Sequence, residues 1–270
     1  MKIGIALGSG GAKGYAAAGV LKGFTEENIK VDYIAGTSIG AFLGAVYSDG
    51  KLYKILNDNF RIKLKDIPAL LSPTLSKRGL FSGNKVEKLL TELVDVKNIE
   101  DLSIPLAVLA TDINTSELAV FTKGDLSKAV RASISIPGIF TPVVNGDQLL
   151  VDGAFLEPVP VKTVRNMGAD IVIAIDLLTG PLSSEISSEN VDISKKYYSE
   201  NVFDYIQRSS IITQKKLIEY SFDKYPPDMV IRPDVSEINT LDFHKREHGI
   251  NQGYKKFREI LPQLKTLINV

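Results

Sequence analysis

Short apolar runs rich in β-branched residues alternate along this chain with longer stretches whose apolar positions recur at helical spacing. The short runs predict strands at Lys2–Leu7, Asp32–Ala35, Ile104–Thr111, Leu118–Thr122, Leu149–Asp152, Ile171–Asp176 and Met229–Arg232. The longer stretches predict helices at Ala12–Glu26, Ile39–Ser48, Asn84–Val94, Leu126–Ser133, Pro160–Met167, Ser199–Ser221 and Gly249–Leu267. Runs such as AVLATD and IVIAID are apolar throughout rather than alternating, the pattern of central strands covered on both faces. The expected fold class is α/β, with a mostly parallel sheet between helix layers. Two stretches depart from the pattern: Lys51–Gly83 is irregular, and Gly180–Val202 is polar, serine-rich and reads as a mobile loop. No internal repeat is visible and no linker is long enough to divide the chain, so a single domain over residues 1–270 is expected.

Composition leaves the fold class as it is and narrows the function. The 270 residues, 44% of them apolar, suffice for a large core. Lys plus Arg equals Asp plus Glu at 32 each, so no global charge recommends a nucleic-acid partner. The absence of cysteine excludes disulfides, thiolate metal sites and a cysteine nucleophile. No apolar run approaches the roughly 20 residues of a spanning helix. Glycines interrupt the apolar part of MKIGIALGSGGAKGYAAAGVLKG, and no small-residue cleavage pattern follows it. A soluble, cytoplasmic protein is expected, with peripheral membrane contact and a homo-oligomer left open.

The candidate chemistry begins at VDYIAGTSIGAFLG. Gly36-Thr37-Ser38-Ile39-Gly40 has G-x-S-x-G spacing between a predicted strand and a predicted helix, the context of a nucleophile elbow. Gly36 and Gly40 relieve crowding around such a turn; the plainer alternative is a tight strand-to-helix turn with an incidental serine. A second glycine loop, Gly8-Ser9-Gly10-Gly11-Ala12-Lys13-Gly14, joins the first strand to the first helix. Its backbone N–H groups suit a developing oxyanion, and Lys13 would add positive potential. The same position holds a pyrophosphate in dinucleotide folds, but the spacing misses G-x-G-x-x-G by one residue, and no Gly-Lys-Ser/Thr follows.

A serine hydroxyl needs a neighbouring base. The two histidines, His244 and His248, lie amid charges in DFHKREH, where solvated side chains are the simpler account. They leave a Ser-Asp-His order possible and lack the H-E-x-x-H frame of a metal site. Asp112, Asp152 and Asp176 each end a predicted strand, on the edge that lines ligand crevices in α/β sheets. Spacing does not choose among them.

GSGGAKG, GTSIG and LLVDGAFLEPVP, in that order, resemble the patatin-like phospholipase family, and in particular its small stand-alone bacterial members. Gly79-Leu80-Phe81-Ser82-Gly83, Ala110-Thr111-Asp112, Ser135-Ile136-Pro137-Gly138-Ile139-Phe140 and Gly253-Tyr254 extend the resemblance over nearly the whole chain. It implies a three-layer α/β/α fold and a lipid acyl hydrolase with a Ser–Asp dyad, no catalytic histidine, no cofactor and no metal. Position by position, Ser38 would be the nucleophile and Asp152 the base. Gly8, Gly10, Gly11 and Ala12 would form the oxyanion loop, with Lys13 at its basic position. Asp152-Gly153-Ala154 stands where the family often has Asp-Gly-Gly, and Glu157 where it often has asparagine; both bear on the pocket wall rather than the dyad.

The implied substrates are phospholipid, lysophospholipid or other acyl esters. A non-catalytic lipid-binding or regulatory protein on the same fold, and a nucleotide-binding oxidoreductase, are the competing classes. Phe60–Leu71 alternates apolar and basic residues and could meet an anionic lipid surface, though a half-buried element with a solvated basic face is the simpler expectation. Val202, Tyr205, Ile206 and Ile212 fall at roughly helical spacing and are expected to pack in the core or a dimer.

Overall fold

The computed structural model describes residues 1–57, 81–179 and 202–269. The strands are β1 (Ile3–Leu7), β2 (Tyr33–Thr37), β3 (Leu106–Asp112), β4 (Glu117–Phe121), β5 (Val143–Asn145), β6 (Gln148–Asp152), β7 (Ile171–Ile175) and β8 (Met229–Ile231). The helices are α1 (Gly14–Glu26), α2 (Ile39–Ser48), α3 (Leu52–Leu56), α4 (Asn84–Leu93), α5 (Leu126–Ser133), α6 (Val161–Asn166), α7 (Val202–Lys224) and α8 (Arg246–Leu267). One sheet runs in the order β5-β6-β3-β2-β1-β7-β8, with β4 also on β3. From β3 to β8 neighbours are parallel; β4, β5 and β6 join antiparallel at the β3 end.

The continuous apolar strands conceal an alternation of size. Ile3, Ile5, Leu7, Ile34, Leu106, Val108, Ile171, Ile173 and Ile175 face a core shared with α1, α2 and α8. The intervening Ala6, Ala35, Ala107, Val172 and Ala174 face a second core closed by Val161 and Val164 of α6 and Ile218 of α7. Burying each large aliphatic side chain contributes about 1.5–3 kcal/mol, and burial on both faces gives the layered helix–sheet–helix arrangement. On the large-residue side, α8 crosses α1 closely. Phe24 and Phe257 meet with ring centroids 5.2 Å apart. Gly253 sits where any side chain would strike the Ala16 carbonyl oxygen.

Several boundaries differ from the expected ones. β2 continues through Gly36 and Thr37 because β1 and β3 supply ladder partners on both sides. α8 begins at Arg246 rather than Gly249, and α7 runs on to Lys224. β5 was not anticipated: it pairs with β6 across a two-residue Gly146-Asp147 turn, a hairpin signal within VVNGDQLL. α3 lies within a stretch expected to be irregular. Phe60–Leu71 and residues 180–201 fall outside the described residues.

Candidate active site

Strand register brings the elbow serine to one of the three candidate aspartates. β4 occupies one edge of β3 over Val108–Asp112, so β2 and β6 share the other edge. Thr37 pairs with Leu109 and Asp152 with Ala110. The C-terminal ends of two strands distant in sequence therefore meet at consecutive positions of β3.

Ser38 follows β2 with φ 57° and ψ −123°, a conformation that costs an L-residue about 1–3 kcal/mol. The surroundings fix it. A Cβ on Gly40 would strike the Leu7 carbonyl oxygen, and one on Gly36 would lie 2.6 Å from the Ala41 Cα, so only glycine admits the turn. The Ser38 N–H donates to Ser133 Oγ at 2.8 Å, and Thr37 Oγ1 donates to the Glu157 carbonyl at 2.8 Å. Ser38 Oγ donates to Asp152 Oδ2 at 2.5 Å. The other oxygen, Asp152 Oδ1, accepts the Ala154 N–H at 2.9 Å, and the Asp152 N–H donates to the Ser135 carbonyl at 3.0 Å. Asp152 is 3% exposed. Burial pushes its carboxyl up to about 7, against the opposing pull of the Ser38 hydroxyl and the Ala154 N–H.

The other two aspartates hold turns together. Asp112 accepts the N–H groups of Asn114 and Leu149 and the Thr115 hydroxyl. Burial raises its carboxyl, but these bonds outweigh burial and leave it below its ordinary value. Asp176 accepts from Leu178, Thr179 and Arg232. His244 is exposed in a short 3-10 turn, His248 Nε2 lies 3.7 Å from Glu237 Oε2, and neither lines the clefts at Ser38. Among the described residues, no cluster of His, Asp and Glu has the composition of a metal site.

In the glycine loop, the Gly8 N–H is committed to the Ile175 carbonyl and the Ala12 N–H to the Thr240 carbonyl. Among the described residues, the N–H groups of Gly10 and Gly11 have no acceptor. Ile39 opens α2, so its N–H has no intrahelical acceptor either. Gly8 and Lys13 line neither cleft.

Two clefts meet at Ser38, sharing Gly11, Ile136 and Thr240. The larger, about 120 Å³ for the centre of a water-sized sphere, is apolar, walled by Phe42, Leu43, Leu89, Ile139, Phe140 and their neighbours. The smaller, about 40 Å³ on the same measure, is lined partly by polar groups of the glycine loop and α7.

Arg131, buried at the end of α5, braces the segment from Ser135 to Thr141, whose Ile136, Ile139 and Phe140 line the apolar cleft. It donates to the carbonyls of Ser82 and Thr141 and to Ser135 Oγ, and its guanidinium lies 5.6 Å from the Phe140 ring centroid. Sequence reasoning passed over Ser133 and knew Ser135 only from a motif. Two small polar residues ending an amphipathic helix beside an arginine were the available signal.

A family model described as patatin-like phospholipase matches residues 5–165, a span that includes both Ser38 and Asp152. The chain belongs to the patatin-like phospholipase family. Relatives at similar identity include an uncharacterised NTE family protein of Mycobacterium tuberculosis, 36% identical over 176 residues, covering 65% of this chain and 49% of that protein. Patatin-like phospholipase domain-containing protein 7 of Mus musculus is 36% identical over 292 aligned positions, covering 96% of this chain and 20% of that one. Patatin-like phospholipase domain-containing protein 6 of Homo sapiens is 35% identical over 181, covering 65% and 13%. The chain thus spans half the length of these relatives or much less. VipD from Legionella pneumophila shares the fold, with a TM-score of 0.53 at 15% identity, covering 97% of this chain and 67% of that one. No helix of this patatin-like chain, among the described residues, is long and apolar enough to cross a membrane.

Proposed function

We propose that the chain is a lipid acyl hydrolase that cleaves carboxylic esters through Ser38. The observation that carries the proposal is the 2.5 Å hydrogen bond from Ser38 Oγ to buried Asp152, at an elbow opening on an apolar cavity. Ser38 Oγ attacks the ester carbonyl while Asp152 Oδ2 takes its proton. The N–H groups of Gly10 and Gly11, with Ile39, hold the oxyanion, each donor lowering the barrier by about 3–4 kcal/mol. Collapse expels the alcohol, which leaves with the proton from Asp152, and the acyl group stays on Ser38. A water then gives a proton to Asp152 and attacks the acyl-enzyme; the fatty acid departs as Ser38 is reprotonated. A carboxylate of ordinary pKa is a weak base at neutral pH, and the raised value of Asp152 supports its role here. No step uses a histidine, a metal or a cofactor.

The apolar cavity suits a fatty acyl chain, so phospholipids, lysophospholipids and neutral glycerides are the substrate class. Phe155 and Leu241 stand 38% and 37% exposed at the cleft mouths, which supports contact with a lipid surface. Hydrolysis of p-nitrophenyl esters of graded acyl length tests the proposal. Ser38→Ala and Asp152→Asn are expected to lose at least about 10³-fold in kcat/KM, as triad knockouts do, and His244→Ala/His248→Ala to retain wild-type rates. Activity indifferent to Ser38→Ala, or lost in the histidine variant while it remains folded, would overturn it.

A further inference from the structure

The smaller cleft has a feature the chemistry at Ser38 leaves unused. α7 turns Gln207, Ser210, Ile211 and Gln214 toward it, and one turn further on the same face carries Ile218 into the second core. Its apolar residues Tyr205, Ile206 and Ile212 point outward, 38%, 55% and 63% exposed. This excludes the core as their packing partner and leaves the dimer, the other placement expected for them; on the inward face, polar Gln207, Ser210 and Gln214 stand beside apolar Ile211 and Ile218. Polar groups on the inward face serve a ligand better than a core.

Those groups form a chain with capacity to spare. Ser9, 3% exposed, donates its hydroxyl to Gln214 Oε1 at 3.0 Å, and Gln214 Nε2 donates to Ser210 Oγ at 3.0 Å. The Ser210 proton and the Ser9 lone pairs remain unused, and the Gln207 carboxamide has no partner among the described residues. Among the described residues, no cationic side chain lines the cleft, and Asp152 is its one ionisable group. A phosphate would find no counter-charge there, whereas a neutral hydroxyl finds a donor and an acceptor.

We infer that this cleft holds the alcohol half of the ester and that Ser9, Ser210 and Gln214 read an uncharged hydroxyl adjoining the scissile bond. The inference rests on the proposed function: with the carbonyl at Ser38 and the acyl chain in the apolar cavity, the leaving alcohol points into the polar one. A site built to hydrogen-bond a hydroxyl discriminates against the analogue that lacks it, because its own polar groups are then left unpaired.

The test compares hydroxyethyl and propyl esters of one fatty acid, which differ by hydroxyl against methyl, each rate divided by that ester's hydroxide-catalysed rate. Wild type is expected to favour the hydroxyethyl ester by about tenfold, and Gln214→Leu and Ser210→Ala to bring the ratio toward one. A wild-type ratio of one, a ratio unchanged in both variants, or equal losses on both esters would overturn the inference. Ser38→Ala separates the two levels. If it abolishes both activities while the ratio is flat, the cleft assignment alone fails; if it spares them, the reaction centre is elsewhere and both fail. Calorimetry gives a readout independent of turnover: octyl hydroxyethyl ether is expected to bind about tenfold more tightly than octyl propyl ether, and to lose that advantage in Ser210→Ala. Equal affinities would overturn the assignment.

Discussion

Ser38 and Asp152 are each held at a cost to the fold, one by backbone strain and the other by burial of a carboxyl. The cost sets the pH dependence. In the proposed mechanism Asp152 acts in its ionised form, so kcat/KM is expected to fall as pH drops through about 7; an essential group titrating near the ordinary carboxylate value would contradict this. The same shift acts on stability with the opposite sense. Because the folded-state value is raised, the folded protein keeps a proton that the unfolded chain has released, and stability declines as pH rises from about 4 to about 7. Above that window Asp152→Asn is expected to raise stability by on the order of 2–4 kcal/mol, and below it to change little; a chemical-denaturation series across pH measures both. Ser133→Ala leaves the Ser38 N–H buried without an acceptor, and is expected to cost about 1–3 kcal/mol and to lower kcat more than it raises KM. The strained turn at Ser38 was legible from the glycines around it, and its pairing with Asp152 was anticipated only through the resemblance. Ser133 was not, because a side chain that supports the backbone of a distant segment leaves no local pattern.

The helices and strands were legible in type, since long periodic segments advertise themselves. Their faces were less so. IGIAL and IVIAI read as uniformly apolar, yet Ile3, Ile5 and Leu7 meet the large-residue core while Ala6 meets the other. Helical spacing alone left Tyr205, Ile206 and Ile212 of α7 to the core or to a dimer, and their exposure on this chain excludes the core. β5 is three residues long and was missed despite the Gly146-Asp147 turn beside it. Packing between α1 and α8 sets a firm limit at this scale. Gly253→Val must push α8 off the Ala16 carbonyl, and is expected to destabilise by more than about 3 kcal/mol, read as a lowered urea midpoint at unchanged slope.

At the scale of the molecule, the candidate site is a product of topology. β2 arrives parallel to β3 and β6 antiparallel, and their ends converge on Leu109 and Ala110. That convergence brings Asp152, rather than Asp112 or Asp176, beside Ser38, a juxtaposition no spacing in the sequence could show, because strand order is set by packing across the whole sheet. The same joint separates an apolar cleft from a partly polar one. The central claim is that Ser38 is an activated nucleophile. Labelling with a fluorophosphonate, followed by peptide mass mapping, tests it most directly. The account predicts one adduct per chain, on Ser38, formed at least about 100-fold more slowly in Asp152→Asn. An adduct on another residue, or ester hydrolysis by a chain whose Ser38 stays unmodified, would contradict it.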